Sequence, residues 1–187
     1  MKILVINGSP RGARSNTLRL TRAFTRGLCA AAPGSEVEEL DLRCMNLHEC
    51  SGCFTCWTKT PGRCVIRDDT VKVYPLIAQS DAVLYVSRIK YGGYDTVMKT
   101  MLERAIPVQQ AFIRVVNGET HHVQRSVAKD AVILAYGASG EEERALFRQL
   151  IARNAHNMNF RSHRVLFCKE DQVPDLVQKE VAKWGIS

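Results

Sequence analysis

The chain has 187 residues, 45% hydrophobic and 24% charged, the balance of a single globular domain with a sizeable core. No apolar run is long enough to span a bilayer and no leader pattern precedes the first strand pattern, so a cytoplasmic protein is expected. The net charge of +7 favours anionic ligands, but the basic residues are dispersed and not interleaved with aromatics, which argues against a nucleic-acid surface.

Residues 2–7, Lys-Ile-Leu-Val-Ile-Asn, are a short β-branched run without sharp alternation, which predicts a strand buried on both faces. The loop Gly-Ser-Pro-Arg-Gly-Ala-Arg-Ser-Asn-Thr follows over 8–17. Leu20, Ala23, Phe24, Gly27 and Leu28 then recur at helical spacing, so strand, loop and helix open a βαβ unit. Ser9, Ser15, Asn16 and Thr17 bring short polar groups to the helix N-terminus, where unpaired N–H groups and the dipole attract an anion. Arg11 and Arg14 add cationic forks suited to phosphate. Plain capping accounts for Ser15 or Asn16 alone but not for the whole set, so a phosphate cradle is expected. The glycine spacing fits neither a P-loop nor a dinucleotide fingerprint.

Residues 36–42 alternate polar and apolar, as an edge strand does, and 43–69 are irregular. Asp68-Asp69-Thr70 reads as a helix start with acids at the positive end of the dipole, and Val73, Leu76 and Ile77 as its apolar face. Pro75 is expected to kink that helix or delay its start. Residues 82–87 are a third strand and 88–93 a loop ending in two glycines. Met98, Met101, Leu102 and Ala105 form the buried stripe of a helix capped by Asp95 or Thr96 and ended by Pro107. The insertion 108–129 has an apolar run over 111–116 and a turn at Asn117-Gly118; its length suits a site or an interface. Without a third ligand in view, His121-His122 reads as a pair of solvent-facing loop residues rather than a metal site.

Residues 131–136 are a fourth strand, and Ser139 with Glu142 has capping-box spacing before a helix whose expected core face is Ala145, Leu146, Leu150 and Ile151. A strand over 164–168 and a helix over 175–184 close the pattern. Strand and helix repeated five times predict a three-layer α/β fold around a parallel sheet, one domain spanning 1–187. Ligands of such sheets bind beyond the carboxyl ends of the strands, where loops 8–17, 88–93 and 137–140 all carry glycines.

Cys29, Cys44 and Cys168 stand alone and are expected to pack as small hydrophobes. Cys50, Cys53, Cys56 and Cys64 follow a C-x2-C-x2-C-x7-C pattern. Four thiolates so spaced can hold a [4Fe–4S] cluster, whereas zinc usually takes two separated pairs; free or redox-active thiols are the alternative.

Residues 1–17 resemble the opening of the flavodoxin-like NAD(P)H-dependent FMN reductase superfamily. The cysteine-rich segment 50–69, Tyr-Gly-Gly-Tyr at 91–94 and Asn-Gly-Glu-Thr-His-His at 117–122 resemble its iron–sulfur flavoprotein-like branch. The resemblance implies a flavodoxin-like fold, five parallel strands in order 2-1-3-4-5, that binds FMN. It carries the phosphate loop onto Ser9, Arg11, Ser15, Asn16 and Thr17, and the loop lining the isoalloxazine ring onto Arg88, Ile89, Lys90, Tyr91 and Gly92. A third loop falls on Gly137, Ala138, Ser139 and Gly140, and the metal ligands on Cys50, Cys53, Cys56 and Cys64. Many members have Ser-Pro, an apolar residue and Tyr after strand three; here the run is Ser87-Arg88-Ile89-Lys90-Tyr91. Arg88 and Lys90 are therefore candidates for a cation beside the flavin N1–C2=O edge. The implied activity passes electrons from NAD(P)H through bound flavin to a quinone, flavin or protein acceptor, in a homo-oligomer (dimer or tetramer). No catalytic side chain is assigned, because the flavin carries the chemistry. The rival readings are a non-enzymatic electron-transfer flavoprotein and a cysteine-based redox sensor.

Overall fold

The computed structural model describes residues 1–9, 15–116, 118–137, 140–168 and 172–183. In chain order the first half holds β1 (Lys2–Asn7), α1 (Asn16–Ala31), β2 (Glu36–Asp41), α2 (Thr55–Thr58), α3 (Thr70–Gln79), β3 (Ala82–Lys90) and β4 (Gly93–Tyr94). The second half holds α4 (Thr96–Glu103), β5 (Gln109–Val116), β6 (Glu119–Gln124), β7 (Lys129–Tyr136), α5 (Glu141–Asn157), β8 (Phe160–Phe167) and α6 (Val173–Lys183).

Five parallel strands pair in the order β2-β1-β3-β7-β8, which is the 2-1-3-4-5 order of a flavodoxin-like fold. β2 lies at the edge, as its alternating sequence requires, while β1, β3 and β7 are central and buried on both faces. The two-residue pleat sorts their side chains into two cores. Ile3, Val5, Leu84, Val86, Val132 and Leu134 pack with Leu20, Phe24 and Leu28 of α1 and Val177 of α6. Leu4, Ile6, Tyr85, Ile89, Ile133 and Ala135 pack with Ile77 of α3, Met98 and Met101 of α4, and Phe147 and Ile151 of α5. Helices therefore cover both faces of the sheet.

Several local expectations are corrected. Residues 88–90 are not a loop: β3 continues through them and folds back antiparallel onto β4. Tyr91 and Gly92 make the turn with φ of 52° and 70°, the positive values that a two-residue type I′ hairpin needs. α3 begins at Thr70 with Pro75 inside it, so the proline does not delay the start. α5 presents Phe147, Ile151 and Ala155 to the core, while Ala145 and Leu146 are exposed and Leu150 is half-buried. Apolar residues occur on two sides of this helix, and the phase is set by tertiary partners: the Phe147 ring meets Tyr94 edge-on at 5.1 Å and Phe167 at 6.3 Å. Cys29 and Cys44 are exposed, and only Cys168 of the three isolated thiols is buried. Ser139, the expected partner in a capping box, lies outside the described residues; Gly140 occupies the N-cap position of α5.

The insertion is a β-hairpin of β5 and β6 with a bulge between Gln109 and Ile113. It leaves Phe112, Ile113 and Val115 exposed. Among the described residues no helix is long and apolar enough to cross a membrane.

The phase of α5 can be checked by chemical denaturation. Phe147→Ala should cost about 3–5 kcal/mol as a large core deletion, whereas Leu146→Ala should stay within about 1 kcal/mol as a surface change. The opposite ranking would contradict the observed face.

Candidate functional site

Because β1, β3 and β7 are adjacent and parallel, their carboxyl ends deliver residues 7–9, 88–92 and Gly137 to one edge of the sheet. The Gly8 N–H donates to Val86 O at 2.8 Å. A Cβ at Gly8 would stand 2.9 Å from Met98 Cβ, so only glycine lets the chain leave β1 this close to α4. Asn7 Oδ1 accepts from the Ser9 N–H at 3.1 Å and from the Thr21 hydroxyl at 3.4 Å. Its fully buried Nδ2 has no hydrogen-bond partner. The Ser9 hydroxyl donates to the Ser15 hydroxyl at 2.5 Å, and both residues are buried. Ser15 occupies the N-cap position of α1, yet its side chain makes no capping bond, and no acidic residue stands in the first turn. Plain capping therefore does not explain Ser15, and the start of this 16-residue helix keeps its attraction for an anion.

The other two loops meet this edge. Arg88 lies against Gly137, whose φ is +88° and whose Cβ, if present, would stand 3.3 Å from Arg88 Cγ. Gly92 N donates to Glu143 Oε1 at 3.1 Å, which ties the β3–β4 turn to the first turn of α5. Tyr91 is 94% exposed at the tip and Lys90 is exposed beside it, whereas the Ile89 side chain is in the core and offers a ligand only its backbone. Gly140 is exposed at the start of α5. Arg11, Ala138 and Ser139, and the side chains of Asn16 and Thr17, lie outside the described residues. A buried serine pair, an uncapped helix start and an unpartnered amide suit the phosphate end of FMN, while the missing Cβ at Gly92 makes room for Leu146 and that at Gly137 for Arg88.

The four clustered cysteines sit on the excursion between β2 and α3. Gly52 and Phe54 both take left-handed backbone conformations, at φ of 66° and 50°, and curl the chain between Cys50, Cys53 and Cys56. For Phe54 that conformation costs on the order of 1 kcal/mol, a strain typical of functional loops. All four thiols are free. Burial pushes the Cys56 thiol up, and the charges of Cys64, Cys50 and Cys53 push it further, so the four form one electrostatic group. Hydrogen bonds from Thr55 and Ser51 bring Cys53 down to about 7. No three of the sulfurs lie within 4.8 Å of one another. A mononuclear tetrahedral zinc site needs sulfurs about 3.8 Å apart, closer than they stand here.

Arg104, which the sequence reading did not single out, holds this loop. Its guanidinium is fully buried and paired with buried Asp68 at 2.7 and 3.0 Å. It also donates to His48 O at 2.7 Å and Ile66 O at 3.2 Å, joining the limbs before and after the cysteines. Asp68 Oδ2 accepts the His48 N–H at 2.8 Å and Oδ1 accepts the Thr70 N–H at 3.1 Å. Burial works against the Asp68 carboxylate, but hydrogen bonds from Arg104, Thr70 and His48 outweigh it and hold the pKa well below the ordinary range. Asp68 is thus committed to Arg104 as well as to the start of α3. Burial lowers the Arg104 pKa, and Asp68 and the adjacent Cys64 sulfur more than restore it. Arg104 Nε is buried and has no hydrogen-bond partner. The available signal was a charged residue inside the apolar stripe between Met101 and Ala105.

Trp57 fastens the other side of the loop. Its Nε1 donates to Ile106 O at 3.4 Å, and its ring packs on Phe54 and on His122 of the hairpin, with centroids 5.1 and 4.6 Å away. A cleft of about 420 Å3 lined by Glu49, Lys90, Tyr91, Thr96 and Lys99 joins the cysteine excursion to the β3–β4 hairpin.

Asp68→Asn should cost about 3–5 kcal/mol in urea unfolding, because it strands a buried guanidinium. Asp68 is depressed in the fold, so its contribution is present above the unfolded carboxyl pKa of about 4 and is lost as pH falls further. Wild-type stability should drop in that acid range, and Asp68→Asn should show a smaller drop. Equal pH slopes would contradict the assignment.

Residues 1–170 match the NADPH-dependent FMN reductase family. An iron–sulfur flavoprotein of Methanocaldococcus jannaschii is 30% identical over 112 residues, 60% of this chain and 55% of that protein. One of Archaeoglobus fulgidus is 36% identical over 107 residues, 57% of this chain and 46% of the relative. The chain thus matches about half the length of these relatives. Among solved structures, the NAD(P)H:quinone oxidoreductase from Methanothermobacter marburgensis superposes with a TM-score of 0.66 at 14% identity, covering 100% of this chain and 98% of that one. An FMN-dependent NADH-azoreductase from Bacillus anthracis, solved with FMN, gives 0.62 at 10% identity over 98% and 97%. At these identities the structural likeness speaks for the fold, and the family match over most of the chain for the lineage: the protein belongs to the NADPH-dependent FMN reductase family.

Proposed function

We propose that the chain binds FMN at the carboxyl edge of β1, β3 and β7 and catalyses electron transfer from NAD(P)H to a quinone, flavin or protein acceptor. The observation that carries this reading is the uncapped start of α1 beside the buried Ser9–Ser15 pair and the unpartnered Asn7 amide. FMN, when bound, accepts electrons in pairs and releases them in pairs or singly. Ser9, Ser15, Asn16, Thr17 and Arg11 would hold its phosphate, and Gly92, Gly137 and Gly140 would admit its ring. Arg88, held against Gly137, would place a cation at the ring's edge and favour the reduced, anionic flavin. Cys50, Cys53, Cys56 and Cys64 would hold a [4Fe–4S] cluster that handles single electrons, with Arg104 orienting Cys64.

A single domain, a reducing cytoplasmic setting suited to seven free thiols, and a homo-oligomer complete the reading. Exposed Phe112, Ile113 and Val115 offer a surface that a second copy could cover. The Cys53 thiol near 7 favours the thiol-redox sensor as the second reading.

Titration of the purified chain with FMN should quench flavin fluorescence at one equivalent. Ser15→Ala and Arg88→Ala should each weaken binding about 10-fold, the size of one charge-assisted hydrogen bond, and Arg88→Ala should lower the flavin reduction potential. Iron and sulfide should approach four each per chain after anaerobic purification, the content of one [4Fe–4S] centre, and fall in Cys64→Ser. Absence of iron with flavin retained would favour the sensor reading of the thiols; absence of FMN binding would overturn the proposal.

A further inference from the structure

His121 does not behave as a surface residue. Its side chain is 13% exposed and lies with Glu119 and His156 in a three-residue group apart from the flavin edge. Glu119 and His121 are two apart on β6, so the pleat puts them on one face of the hairpin. His156 comes from the last turn of α5. Their ligating atoms all lie within 4.8 Å of one another, the one group of this kind among the described residues.

The contacts are too long for the trio to be satisfied by hydrogen bonds. His121 Nε2 stands 3.5 Å and His156 Nε2 3.7 Å from the same Glu119 Oε2. The imidazoles stack with centroids 4.5 Å apart and 19° between planes. Two imidazoles and a carboxylate oxygen at about 2.0–2.1 Å from a tetrahedral ion would stand about 3.3 Å from one another. The two carboxylate–imidazole distances are thus a few tenths of an ångström longer than in a loaded site, and the stacked rings must turn out of parallel for both nitrogens to face one ion, a turn that half-exposed His156 has room to make. Arg153 Nη1 approaches the other oxygen, Glu119 Oε1, at 3.6 Å, and leaves Oε2 to the histidines. Arg114 stands opposite His121 across the hairpin. The carboxyl end of α5 favours a cation at this position.

We propose that Glu119, His121 and His156 bind a divalent transition-metal ion, with zinc the chemistry of choice for a two-histidine, one-carboxylate set and water in the fourth position. The ion is a strut between the hairpin and α5. Since His122 of the same hairpin packs on Trp57, the strut also steadies the cover of the cysteine excursion. The site is independent of the flavin reading.

The test is calorimetric titration of the chelator-treated full chain with Zn2+, alongside His121→Ala/His156→Ala and Glu119→Gln. Thiols contribute equally in all of them, so the comparison isolates this site. Wild type should take up one more Zn2+ per chain than the double variant, and Glu119→Gln should bind that ion at least about 10-fold more weakly. Zn2+ should raise the Tm of wild type more than that of the double variant. Should the double variant fail to match wild type in far-ultraviolet circular dichroism, His156→Gln, at a half-exposed position, carries the same comparison. Equal zinc stoichiometry and affinity in wild type and the histidine variants would overturn the proposal.

Discussion

The fully buried ion pair between Arg104 and Asp68 is the constraint on which the cysteine-bearing half of the molecule depends. Removing two charges from water costs several kcal/mol per ion, and only close geometry with saturated hydrogen bonding offsets it. The geometry is close here, and the hydrogen bonding is complete except at the Arg104 Nε. The guanidinium reaches the carboxylate through two nitrogens and also takes the carbonyls of His48 and Ile66, while the carboxylate takes the amides of His48 and Thr70. One ion pair thereby fixes both limbs of the excursion, the start of α3 and the end of α4. A neutral pair could fill the same volume, but it would not place a positive charge beside the Cys64 sulfur.

The parallel sheet supplies the other half of the site by topology. Adjacent central strands bring three glycine-bearing loops to one edge, and the β3–β4 hairpin reaches from that edge toward the cysteine excursion across the cleft at Glu49 and Lys90. The flavin-edge residues are held by strand ends and a tight turn, and the thiols by a strained loop around a buried salt bridge.

Much of this was legible in the sequence because local signals and the global fold agree. Residues 3–7 and 131–135 are buried in the structure because continuous apolar runs leave no solvent face, and the helical spacing of Leu20, Phe24 and Leu28 identified the face that α1 buries. The cysteine spacing marked the excursion. What stayed hidden was set by distant partners. Arg104 meets Asp68 across 36 residues, and its place in the apolar stripe between Met101 and Ala105 hints at burial but not at the partner. The phase of α5 was decided by Tyr94 and Phe167. The extension of β3 followed from two left-handed residues at 91 and 92, of which only the glycine announces itself. His156 lies 35 positions beyond His121 in the chain, so their approach is a product of the hairpin folding onto α5.

The most direct measurement is the visible absorption spectrum of the chain purified without oxygen, before and after addition of NADPH. The account predicts the two bands of bound flavin, over a broad iron–sulfur shoulder, with the flavin bands bleached by the reductant. A colourless protein that takes up no added FMN would contradict it.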